Sequence, residues 1–170
     1  MFSLNPSLQS YSWGSKTLIA DLRGEESPTQ HPQAELWYGA HPAAPADIAG
    51  VPLTDIIAAD PDRELGAEVR ARFGDRLPFL LKILAVAEPL SLQAHPSLAQ
   101  AQEGFRRENA QGIDVRAGNR NYRDDNHKPE LIVALTPFHA MAGFRPLAET
   151  LELFAALDCP SLARYMGMID

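Results

Sequence analysis

The sequence predicts a mainly β chain with helical additions, and three observations carry that prediction. First, 14 prolines divide 170 residues into many short elements, which suits strands and turns better than a helical bundle. Second, an apolar run from Phe79 through Ala87, interrupted only by Lys82, breaks at Glu88-Pro89 and resumes as the alternating segment Leu90–His95. Third, Asn126–Leu135 alternates again, with Lys128, Glu130, Ile132 and Ala134 on one face and Leu131, Val133 and Leu135 on the other. The length allows one ordinary domain with a real core, and 45% hydrophobic with 22% charged residues is the balance of a soluble globular protein.

Residues 2–20 read as a strand, a turn marked by Gly14, and a short strand or helix. Residues 24–32 have the composition of a loop. Ala34–Ala40 reads as a short strand bearing one acid, Glu35, and His41-Pro42 ends it. Thr54–Ala59 and Pro61–Phe73 read as helices, the second with Asp60 at its N-cap and Gly74 as its stop. Ser97 with Gln100 matches a capping box that starts a helix running to about Ala110. Gln111–Asp125 is expected to be a mobile, exposed polar loop. Phe138–Phe144 reads as a further strand, Pro146 opens a helix through Leu147, Leu151 and Phe154, and Pro160 opens a last one.

Bulk properties narrow the function. A net charge of -7 argues against a nucleic-acid or anionic-membrane binder. No apolar run is long enough to span a bilayer, and the first residues lack the pattern of a signal peptide. The single cysteine, Cys159, excludes an intramolecular disulfide and suits a reducing compartment, so a cytoplasmic location is expected. Cys159 itself reads as packing. No Gly-rich phosphate loop is present.

The chemistry concentrates in two segments. A strand over 90–95 turns Ser91, Gln93 and His95 to one face, which either presents ligands to a cavity or is simply a wetted surface. Gln93, His95 and Glu130 together offer an amide oxygen, an imidazole and a carboxylate. Three such groups suit a catalytic divalent metal, yet a satisfied histidine and a solvent-facing Glu explain the same residues. Glu35 reads as a buried acid or as an edge-strand charge. Three of the five histidines, His31, His41 and His95, precede proline, so that pairing alone marks no site.

The motifs YSWGSK (11–16), AELWYGAHP (34–42), LPFLLKILAVAEPLSLQAHPS (77–97), NYRDDNHKPEL (121–131) and ALTPFHAMAGFRP (134–146) together resemble the type I mannose-6-phosphate isomerases. The resemblance covers essentially the whole chain, and QAHP with NHKPE is its most specific part. It implies a zinc enzyme of the cupin, or jelly-roll, class that interconverts mannose 6-phosphate and fructose 6-phosphate. Residues 1–145 would form the N-terminal part of the cupin-type β-sandwich, and 146–170 the start of a helical domain. Residue by residue, the zinc ligands fall on Gln93, His95 and Glu130. Trp13, Ser91 and Lys128 fall on positions lining the sugar pocket, as does Glu35, and Lys128 and Glu35 are the catalytic candidates. Family members are much longer, and their fourth zinc ligand, a histidine, and a catalytic arginine lie beyond the part matched. The resemblance thus implies a piece that folds poorly or associates alone, binds zinc weakly, and takes the C-terminal part of the enzyme as its partner. The alternative is a non-catalytic cupin-derived module that binds a sugar phosphate or a metal.

Overall fold

β2 (Glu35–Tyr38) is the central strand of the structure, a computed structural model that describes residues 3–169. Met1, Asp170 and the first position of the strand expected from residue 2, Phe2, lie outside the described residues. β2 is flanked by two antiparallel neighbours, β1 (Ser7–Gln9) and β5 (Leu81–Leu84). The register sets Leu36 opposite Leu8 and Ile83, and Trp37 opposite Ser7 and Lys82. Alternation therefore sends Leu36, Tyr38 and Ile83 to one face and Glu35, Trp37 and Lys82 to the other. The apolar face receives α1 (Leu18–Arg23), so that Ile19, Leu36 and Ala85 form a buried cluster with Tyr38 and Ile83 packed on it. Burial of each such Leu or Ile contributes ~2 kcal/mol.

The Tyr11–Lys16 motif is stitched between two other segments. The Ser15 amide donates to the Ala85 carbonyl, the Gln33 amide to the Ser15 carbonyl, and the Ala87 amide to the Trp13 carbonyl. Gly14 presses on Ala34, where an added Cβ would stand 2.6 Å from the Ala34 Cα. Ser15 Oγ accepts from the Thr17 and Leu18 amides and so starts α1, which Gly24 closes in the left-handed conformation. A hairpin of β3 (Asp47–Ile48) and β4 (Val51–Pro52) turns through Ala49 and Gly50, both at positive φ. Its Ala-Gly turn lacks the Asn-Gly or Asp-Gly signal, which hides it in the sequence. Helices α2 (Leu53–Ala59) and α3 (Pro61–Phe73) fall where expected, with the Asp60 side chain accepting from the Arg63 amide. Gly66, at φ 77°, breaks α3 into two pieces where one helix is expected.

The chain forms two compact units, the first ending at Ala94 and the second beginning at His95. The second unit opens with the expected capping box of Ser97 and Gln100 and with α4 (Leu98–Ala110). The following loop, 111–125, is mostly exposed as expected, but it is anchored at Arg120, which closes on Glu108 of α4. Glu108 and Arg120 are buried, and Arg120 donates to the Ile113 and Tyr122 carbonyls and to Asn109 Oδ1. The Glu108 carboxylate accepts from the amides of Asn121 and Tyr122 and from the Asn121 side chain, and lies 3.0 Å from Arg120 Nε. Each buried polar group thus has partners, which is what makes the burial tolerable. Beyond lie α5 (Leu147–Leu157), a 3-10 turn at Pro160–Leu162, and α6 (Ala163–Ile169).

Three expected strands, at 90–95, 126–135 and 138–144, are not formed. Among the described residues the architecture is a mixture of small antiparallel sheets and helices, with more residues in helices than in strands. Alternation records a face meant to be covered, but a strand forms only against a partner's amides and carbonyls. Leu92, Leu131 and Phe144 are 85%, 89% and 98% exposed accordingly. Among the described residues no helix is long and apolar enough to cross a membrane.

Candidate metal and sugar site

In the first unit, Glu35 sits on the central strand and is 7% exposed, so it is a buried acid and not an edge charge. Its Oε2 accepts from the Trp37 indole N–H at 2.6 Å and lies 3.7 Å from Lys82 Nζ. Lys82 also stands over the Trp37 ring, 4.7 Å from its centroid. The β2–β5 register, which sets Lys82 beside Trp37, produces this cluster of acid, cation and indole. Its one sequence signal is the lone charge inside LPFLLKILAVA. Trp13 is partly buried and stacks on Tyr11 at 5.6 Å. Partial burial raises the Tyr11 pKa, and the Glu35 carboxylate adds to the rise. Ser91 and Gln93 lie in the same unit, exposed and outside any strand.

In the second unit, His95 and Glu130 come together across 35 positions of sequence. The His95 Nε2 and Glu130 Oε2 atoms are 3.8 Å apart, and both side chains are partly open to solvent. Lys128 does not stand free beside them. Its ammonium is held by both oxygens of Asp124, at 2.9 and 3.0 Å, and Asp124 also accepts from the Asn126 amide. Among the described residues no three His, Cys, Asp or Glu side chains gather as a metal site.

The profile of phosphomannose isomerase type I, catalytic domain, matches residues 1–147. The chain belongs to this family, the phosphomannose isomerases of type I. It is 46% identical over 177 residues to the mannose-6-phosphate isomerase of Escherichia coli K12, covering all of this chain and 45% of that protein. It is 36% identical over 176 residues to the Schizosaccharomyces pombe enzyme, covering 98% of this chain and 39% of the relative. A crystal structure of the Salmonella typhimurium mannose 6-phosphate isomerase, bound to its substrate F6P and zinc, superposes with a TM-score of 0.85 at 44% identity. That match covers 100% of this chain and 44% of the other. The chain therefore spans less than half the length of these relatives.

Proposed function

We propose that this chain supplies part of the active site of a zinc-dependent isomerase that interconverts mannose 6-phosphate and fructose 6-phosphate. The observation that carries the reading is the approach of His95 to Glu130, within the QAHP and NHKPE motifs of a chain of this family. An imidazole nitrogen and a carboxylate oxygen 3.8 Å apart are donors of the kind zinc takes, and His95 and Glu130 would hold it together. Gln93 joins them as the third ligand on the resemblance alone. Zinc, when bound, supplies Lewis-acid stabilisation of the oxygens that become negative as a proton passes between C1 and C2.

The chain's own residues divide the remaining work. Lys128 adds a positive charge where the oxyanion develops, and Asp124 is the counter-ion it must exchange for substrate. Glu35 is a carboxylate held in one orientation by the Trp37 N–H, which suits a group that receives and returns a proton. Trp13 and Ser91 line the sugar pocket. Residues 1–145 belong to a cupin-type catalytic domain, 146–170 open a helical domain, and the setting is cytoplasmic. The further length present in relatives provides the partner strands for 90–95, 126–135 and 138–144, together with a fourth ligand. The span of under half the relatives' length and the exposed apolar segments support this partial reading.

The test is isomerase turnover and zinc retention by the purified 170-residue chain. Weak zinc binding, with turnover far below that of a full-length relative and abolished by a chelator, is the expected result. A chain that binds no zinc even with the ion in excess overturns the proposal, and full turnover by this chain alone overturns the partial-site reading.

A further inference from the structure

The Glu108–Arg120 pair has no part in the chemistry proposed above, yet it is the most buried charge pair among the described residues. We infer that it is a positioning clasp that holds Glu130 within reach of His95. The inference rests on the zinc reading and adds residues to it. His95 lies two residues before the Ser97 cap, so the start of α4 is close to it in sequence. The helix has 13 residues, about 20 Å, and Glu108 lies in its last turn. There Glu108 grips the amides of Asn121 and Tyr122, and Arg120 grips the carbonyls of Ile113 and Tyr122. The Tyr122 ring lies over Gly104, where any Cβ would overlap it, and the Arg120 guanidinium lies 5.1 Å from the Phe105 centroid. The chain is thus pinned to the far end of α4 at Tyr122 and returns to His95 over a short tether.

The length of that tether sets the size of the effect. Eight residues separate Tyr122 from Glu130, whereas twenty separate Ala110 from it. Releasing the clasp frees twelve further residues between α4 and Glu130, and the joint grip of His95 and Glu130 on one ion weakens. Coupling is reciprocal, so zinc held by His95 and Glu130 must tighten the clasp by the same factor.

The experiment titrates the 170-residue chain with zinc against a chromophoric chelator at one pH. The wild type is compared with Glu108→Gln and with the double variant Glu108→Leu/Arg120→Met, which strands no buried charge. Far-UV circular dichroism checks that the helices remain. Hydrogen exchange at the Asn121 and Tyr122 amides of the wild type is followed with and without zinc. The expected result is a more than twofold loss of zinc affinity in the double variant, and exchange of those amides slowed by the same factor on zinc addition. Unchanged exchange in zinc-bound wild type, or a folded double variant within twofold of wild type, overturns the clasp alone. A wild type that binds no zinc overturns the functional reading and the clasp with it.

Discussion

Glu35 and Glu108 are both buried carboxylates, and their partners give them different behaviour. Glu35 has one N–H donor, from Trp37, and a cation at 3.7 Å. Trp37→Phe removes the donor and should cost about 2 kcal/mol in chemical denaturation, since the bond is to a charged group. Glu108 is held below its ordinary value of 4.5, chiefly by the Tyr122 amide, with the Asn121 side chain and amide and the Arg120 charge adding to the effect. A lowered folded pKa means the unfolded chain binds more protons in mild acid. The stabilisation is therefore fully present above about pH 4.5 and lost as pH falls through the lower folded value. Melting temperature against pH should show an acid limb that Glu108→Gln flattens; an unchanged limb contradicts the assignment. Glu35 could be picked from its apolar strand, but its partners could not, because Trp37 and Lys82 meet it only through a strand register that a single sequence does not state. Arg120 lies in a run of polar residues that reads as a loop and Glu108 on the last turn of an expected helix, and only folding shows that the two close on each other.

Elements with a local chemical signature were the ones readable beforehand. Asp60-Pro61 and Gly74 bracket α3, and Ser97 with Gln100 starts α4, because caps are satisfied by atoms two or three residues away. Ser97→Ala should lower stability by about 1 kcal/mol with loss of α4 helix signal on heating. The α3 break at Gly66 and the Ala49-Gly50 hairpin were not legible, since each depends on a φ choice that glycine permits without requiring. Gly14 acts between elements. Gly14→Ala drives a Cβ into the Ala34 backbone and should cost about 2 kcal/mol by displacing the Tyr11–Lys16 motif from Ala85 and Gln33. The strand readings at 90–95, 126–135 and 138–144 failed for the opposite reason. Their alternation is intact, and the pairing that turns alternation into a strand is absent from the described residues.

At the scale of the whole molecule, these unpaired segments are the dominant physical feature. Leu92, Leu131, Val133, Leu135, Met141 and Phe144 are each more than two-thirds exposed, a load of apolar surface that soluble monomers rarely carry. The 170-residue chain should therefore self-associate with rising concentration, as sedimentation velocity would show; a monodisperse monomer at high concentration contradicts this. The central claim is narrower and concerns the proposed ligand set of Gln93, His95 and Glu130, of which His95 and Glu130 approach to 3.8 Å. Its most direct test is the zinc dissociation constant of the chain and of Gln93→Ala, His95→Ala and Glu130→Ala, measured side by side at one pH. The account predicts one zinc per chain and a loss of more than about tenfold in affinity for each variant. Zinc affinity unchanged by all three substitutions would contradict it.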